Sequence, residues 1–256
     1  MNFGIAKLLA HLGFYLTSVE SPEATWSRLR PKKTENTLIR LGTKNGDGGY
    51  LIPDNLDFDG CLSAGLADNL DFEVDVAQIY GCPVHMIDGS IQEPVIQHSN
   101  FFFRKLFLGA VSGGQFISFE DWYRESGLAE NLLLKVDIEG AEYPSFLGVR
   151  EETMKKFKVM IFELHSLEQL ATKLGNSLIS SFLDKVSKNH TIIHSHANNV
   201  GGTWNFGKDS IPSGLEITLI RNDCVEFVDG GGYAALPHTL DRKCDPLRRD
   251  VIAKWG

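Results

Sequence analysis

Apolar residues in this chain come in short runs that stop at small or charged ones. The runs Gly60-Cys61-Leu62-Ser63-Ala64-Gly65, Pro83-Val84-His85-Met86-Ile87-Asp88 and Leu132-Leu133-Leu134-Lys135-Val136 are of this kind, as is Lys158-Val159-Met160-Ile161-Phe162-Glu163-Leu164-His165. Strands covered on both faces read this way, as in parallel sheets with helices on either side. Helical periodicity fills the gaps. Phe72, Val74, Val76, Ile79 and Tyr80 follow the first run, with Asp68 or Asn69 in the capping position. Ser118 to Gly127 reads as a short helix capped by Ser118, and Leu167 to Ser187 as a longer one. Alternating strands and helices imply βαβ units and right-handed parallel winding. Phe101 to Val111 and Thr191 to His196 are further extended segments. After a Gly/Asn-rich loop, Leu215-Glu216-Ile217-Thr218-Leu219-Ile220 alternates and is expected to close the sheet as an antiparallel strand.

The pattern divides the chain into three parts. Residues 1–35 are expected to form a helical appendage, amphipathic over Phe3 to Leu16, and a basic linker (Arg28-Leu29-Arg30-Pro31-Lys32-Lys33). Residues 36–223 form the α/β domain, opening with a hairpin over 37–53 whose turn holds both Asn45-Gly46 and Asp47-Gly48. Residues 224–256, with Gly230-Gly231-Gly232 and prolines, read as an irregular cap.

Composition narrows the function classes. A 256-residue chain that is 43% hydrophobic is long enough to bury a large core. Its net charge of −8 offers no broad basic field, so nucleic acid is not an expected partner. No run reaches the roughly 20 apolar residues of a membrane span, which leaves the N-terminal helix as the element able to touch a membrane peripherally. Cys61, Cys82, Cys224 and Cys244 lack CxxC or metal-type spacing, which points to a reducing, cytoplasmic setting.

The carboxyl ends of the runs carry the chemistry, as ligand sites in open α/β sheets do. A glycine turn at Gly65 is followed 23 residues later by Asp88, the spacing of a loop that holds a nucleoside and an acid that holds its ribose. Ser63-Ala64-Gly65-Leu66-Ala67-Asp68 has one glycine rather than the three of GxGxxG, and Asp68, Asp71 and Glu73 crowd the helix start. A pyrophosphate would be repelled there, whereas the sulfonium and ammonium of S-adenosylmethionine (SAM) would be attracted. SAM is therefore preferred over NAD(P).

The block Leu134-Lys135-Val136-Asp137-Ile138-Glu139-Gly140-Ala141-Glu142 resembles the LKxDxEGxE signature of FkbM-type SAM-dependent methyltransferases. Asp47-Gly48-Gly49-Tyr50, the Gly65 loop, Asp88, Phe162-Glu163-Leu164-His165, His196-Ala197-Asn198-Asn199 and Leu215-Glu216-Ile217-Thr218 are similar in order and spacing, over roughly residues 36 to 250. The resemblance implies a class I methyltransferase fold, α/β and Rossmann-like: a seven-stranded, mostly parallel sheet with its last strand antiparallel and helices on both faces. It further implies methylation of a hydroxyl on a glycan, sugar nucleotide or natural product. Ser63 stands where the family usually carries an acid.

On that reading the cofactor side comprises Ala64, Gly65, Leu66, Asp68, Asp88, Gly89, Val111 and Asp137. The catalytic side comprises Asp137, Glu139, His165 and His196. A histidine's ordinary pKa of about 6.5 suits His165 or His196 to act as base. Lys135 is expected to pair with a neighbouring carboxylate. Mixed carboxylate and imidazole groups also suit a divalent ion, but no tight motif such as HxxxH is present and no metal site is assigned. Two other functions are consistent with the pattern: an NAD(P)-dependent oxidoreductase, and a catalytically inactive binding module.

Overall fold

A computed structural model describes residues 3–13, 19–66 and 68–256. In chain order it holds α1 (Phe3–His11), α2 (Glu23–Trp26), β1 (Leu38–Gly42), β2 (Gly49–Pro53), β3 (Gly60–Ala64) and α3 (Asp71–Tyr80). Next come β4 (Val84–Ile87), β5 (Phe101–Arg104), β6 (Phe107–Gly109), β7 (Phe116–Ser118), α4 (Phe119–Ser126) and β8 (Leu132–Val136). The chain ends with α5 (Glu142–Leu147), α6 (Glu151–Met154), β9 (Phe157–Leu164), α7 (Lys173–Val186), β10 (His190–Phe206) and β11 (Asp209–Arg221).

The continuous apolar runs are buried strands at the centre of one seven-stranded sheet, ordered β10-β11-β9-β8-β3-β4-β5. Neighbours from β9 to β5 pair in parallel, and β11 is antiparallel to both β9 and β10. This is the class I methyltransferase sheet expected from the sequence, with its last strand reversed. Side chains alternate between two apolar cores. Leu132, Leu134 and Val136 face one with Phe146, Phe162 and Phe182, and Leu133 faces the other with Val76, Met86 and Ile161. Because β3 lies between β4 and β8, the segments leaving all three strands converge at their carboxyl ends, where Gly65, Asp88 and Asp137 line one cavity.

Several expectations are modified. Residues 22–34 are built into the fold rather than appended to it. Trp26 and Leu29 are fully buried, and Trp26 stacks on Trp255 of the tail with ring centroids 4.8 Å apart. Each indole N–H donates to the other segment, Trp26 Nε1 to the Lys254 carbonyl and Trp255 Nε1 to that of Trp26, both at 2.9 Å. The basic linker is held as well: Arg28 pairs with Asp184 at 2.6 Å, and Arg30 lies over the Tyr233 ring at 4.0 Å. Of the amphipathic N-terminal stretch, α1 ends at His11 and residues 14–16 lie outside the described residues.

The extended segment from Phe101 divides into β5 in the main sheet and β6, which pairs with β7. The long helix begins late. A 3-10 turn spans Leu167–Ala171, and Thr172 then caps α7 by accepting from the Gly175 N–H at 3.1 Å. The Gly/Asn stretch after His196 is not a loop. It continues β10 past a bulge between Asn198 and Thr203 and pairs with β11 as a polar, exposed ribbon. With few apolar residues to alternate, its sequence reads as loop, yet ladder bonding satisfies the backbone.

Candidate functional site

Gly65 follows β3 in the left-handed region at φ +80°. A Cβ there would lie 1.6 Å from the Asp137 carbonyl oxygen, so no side chain fits while the β3 and β8 loops stay this close. Asp137 N–H donates to the Ala64 carbonyl and Gly65 N–H to that of Ile87, each at 3.0 Å. Lys135, buried on the sheet face that carries α3, donates its ammonium to the Gly65 carbonyl; this replaces the expected carboxylate partner. The loop is thereby fixed from below before any ligand arrives.

Asp88 leaves β4 with its carboxylate tied to the same loop. Oδ2 accepts from Leu66 N–H at 2.9 Å, and Oδ1 accepts from Ser90 N–H at 2.7 Å and its hydroxyl at 2.6 Å. Beside it opens a cavity of about 290 Å³ whose apolar wall includes Ile87, Leu108, Phe107 and Phe116. Its polar groups are Asp88, Ser90, Asp137 and Glu139. A Cβ on Gly89 would meet the Phe107 ring at 2.4 Å, so glycine is what lets that ring form the wall.

A second cavity, of about 370 Å³, lies across the β8 loop. It is lined by Asp47, Glu163, His165, Glu168 and Asn198, and again by Asp137 and Glu139. The two spaces thus share Asp137 and Glu139. One is largely apolar with three acids among its polar groups; the side chains lining the other are polar apart from Val200.

Glu142, fully buried at the start of α5, organises the ground between them. Its Oε1 accepts from Ile138 N–H at 3.1 Å and Gly140 N–H at 3.2 Å, and lies 3.0 Å from His165 Nδ1. It bends the loop so that Glu139 sits at φ +56°, a strained conformation of the kind that clusters at functional sites. It also turns His165 so that Nε2 faces Glu139 at 3.5 Å, Glu163 at 3.6 Å and Asp137 at 3.9 Å.

The electrostatics follow from this crowding. Burial lowers the His165 pKa, but the bond and charge of Glu142, with Glu163 and Asp137, outweigh it and hold the imidazole at about 9. Burial raises Asp137 to about 6, although Lys135 and His165 pull it down. Burial, then the charges of Asp137 and Glu216, push Glu163 well above the usual carboxylate range. His165 is therefore charged at neutral pH in the free protein, not the neutral base its ordinary pKa implies.

The remaining expected residues are placed as follows. His196 is buried outside both cavities, beneath the C-terminal tail, with Nδ1 2.8 Å from Glu216 Oε2. Burial lowers its pKa, but the Glu216 bond carries it above its ordinary value. Val111, 75% exposed, stands outside the first cavity, and so does exposed Asp68. Asn69 rather than Asp68 accepts from the helix start, taking Asp71 N–H at 2.9 Å. Ala64 lies buried under the cavity and contributes its carbonyl.

Ser63 donates to buried Glu73 of α3 at 2.5 Å. A glutamate turned inward behind the glycine loop leaves the helix start unsuited to a pyrophosphate and weighs against NAD(P). Sequence reasoning missed Ser90, Phe107, Phe116 and the organising role of Glu142. Only Ser90 had a local signal, two residues beyond Asp88 in an Asx-turn position.

Among the described residues three groups have donor atoms within 4.8 Å of one another: His196, Glu216 and Cys244; Asp137, Glu139 and His165; and Asp47, Glu163 and Glu216. In the first, Glu216 bonds both His196 and the Cys244 thiol, at 2.8 and 3.7 Å. In the second, the imidazole itself supplies the positive charge.

No protein-family model matches the chain, and no curated protein matches it. Among solved structures it is similar to the Methanococcus jannaschii fibrillarin pre-rRNA processing protein, at 9% identity and a TM-score of 0.38 over 73% of this chain and 83% of that one. A fibrillarin/Nop5p complex gives 10%, 0.37, and 64% and 72% coverage. MtNAS in complex with MTA and tNA gives 9%, 0.32 and 65%, and the chain spans about half (54%) of its length. These likenesses are too slight to carry an argument, and the fold rests on the strand order itself.

Proposed function

We propose that the protein is a SAM-dependent O-methyltransferase of the FkbM type, acting on a hydroxyl of a glycan, sugar nucleotide or natural product. The observation that carries this reading is the pair of cavities meeting at Asp137 and Glu139, one suited to a nucleoside and the other to a polar acceptor. In the first, Asp88 stands where a ribose would be held and Phe107 forms an apolar wall for a base. The acids shared with the second cavity favour a positively charged donor over a phosphate.

SAM supplies an activated methyl carbon for in-line displacement, which leaves positioning and proton removal to the chain. The Gly65 loop and Asp88 fix the nucleoside side. Asp47, Glu163 and Asn198 offer hydrogen-bonding groups to acceptor hydroxyls, with Asn198 already donating to Glu163 Oε1 at 2.6 Å. His165 Nε2 faces that cavity and is the group placed to take the hydroxyl proton, a contribution of roughly 10²–10⁴-fold. His196 acts at a distance, balancing the charge of Glu216.

Titration calorimetry with S-adenosylhomocysteine tests the reading. Saturable binding that weakens at least about tenfold in Asp88→Asn supports it. Absence of binding at millimolar ligand, with NADH raising the melting temperature instead, overturns it in favour of an oxidoreductase.

A further inference from the structure

His165 is enclosed by four carboxylates from three parts of the chain, with the uncharged Asn198 of β10 and Ser213 of β11 lining its cavity. Glu163 comes from its own strand, Asp137 and Glu139 from the β8 loop, and Glu142 from α5. Glu168 of the following turn and Asp47 of the hairpin line the same cavity. On the far side of Asp137 stands Lys135, its ammonium held by the Gly65 carbonyl. The Tyr143 hydroxyl donates to the His165 carbonyl at 2.7 Å and pins the backbone, while Glu142 Oε1, 3.0 Å from Nδ1, holds the ring.

We propose that a cationic methyl donor and the His165 proton compete for this one carboxylate cluster, so that donor binding discharges His165 and leaves Nε2 as a base facing the acceptor. The inference rests on reading the first cavity as the donor site. Asp137 and Glu139 are common to both linings, so a methyl group handed from the first cavity to the second passes them. The donor's sulfonium therefore lies against the same carboxylates that face Nε2 at 3.9 and 3.5 Å. A like charge brought into a partly buried cluster disfavours the imidazolium. The displaced proton leaves to solvent, to which the Glu139 side chain is 87% exposed.

The charge then stays constant through the transfer. The acceptor hydroxyl gives its proton to Nε2 as the O–C bond forms and the C–S bond breaks, its electron pair remaining on sulfur. A sulfonium beside a neutral imidazole becomes a thioether beside an imidazolium. The product state thus has the protonation of the free protein, and the base exists only while a donor is bound.

The test is calorimetry on the full chain near neutral pH, in phosphate and in Tris, whose ionisation enthalpies differ. The ligands are SAM, its charged unreactive analogue sinefungin, and the neutral thioether S-adenosylhomocysteine. Release of about one more proton with SAM and sinefungin than with the thioether is expected, and His165→Gln should abolish that difference. Histidine NMR of the wild-type chain gives a second readout: sinefungin should move the His165 ring from its charged to its neutral signature. Equal proton counts for all three ligands, with an unmoved His165 signal, would overturn the proposal. Absence of binding by all three would instead strike down the donor-site reading on which it rests.

Discussion

Gly65→Ala is the substitution in which fold and site fail together. At φ +80° an alanine costs about 1–2 kcal/mol in backbone conformation alone. Its Cβ would also stand 1.6 Å from the Asp137 carbonyl oxygen, so the β3 and β8 loops must part. That movement breaks the Lys135 ammonium bond to the Gly65 carbonyl, and a bond to a charged group contributes about 1.5–3 kcal/mol. The sum is a loss of about 2.5–5 kcal/mol, or roughly 5–20 °C in melting temperature for a chain of this size. Gly81→Ala is the control. Gly81 is also left-handed, at φ +63°, and caps α3, but nothing lies within 4 Å of its Cβ position, so only the conformational cost of about 1–2 kcal/mol applies. Urea denaturation and S-adenosylhomocysteine calorimetry on both variants measure the contrast. Equal destabilisation of the two, or undiminished ligand affinity in Gly65→Ala, would refute the claim that loop contact organises the site.

Two more outcomes follow from single side chains. Glu142→Gln removes the charge behind His165 while keeping an acceptor for the loop N–H groups. The His165 pKa should fall from about 9 toward its ordinary value in a histidine NMR titration, with stability reduced by about 1–3 kcal/mol. His190 is buried with Nε2 2.8 Å from the Phe157 carbonyl and Nδ1 unpartnered, and burial depresses its pKa to about 4. A depressed histidine contributes stability that is present above the unfolded pKa of about 6.5 and lost as pH falls through the folded one. Urea midpoints should therefore show the wild-type chain losing roughly 3 kcal/mol more than His190→Gln between about pH 6.5 and pH 4.

The strands that position the site were legible because burial on both faces leaves a continuous apolar run, and Leu132 to Val136 could be read as little else. Asp88 and Asp137 were legible as acids at strand ends. What escaped depends on tertiary convergence. Phe107 and Phe116 belong to a small side ribbon whose pairing no local pattern announces. Glu142 reads as one more acid in a polar turn until its three partners are seen. The base assignment changed most, since an ordinary histidine pKa cannot anticipate four carboxylates from three parts of the chain. Val111 was expected at the end of one extended segment from Phe101, but that segment breaks after Arg104 and leaves Val111 exposed outside the cavity.

The central claim is that a methyl donor sits between Asp88 and the Asp137–Glu139 wall, with its sulfur facing the cavity of His165. A crystal structure with S-adenosylhomocysteine measures this most directly. The account predicts ribose hydroxyls on Asp88, the adenine against Phe107, and the thioether sulfur open toward His165 Nε2 across Asp137. A ligand bound elsewhere, or one whose sulfur points away from the second cavity, would contradict it.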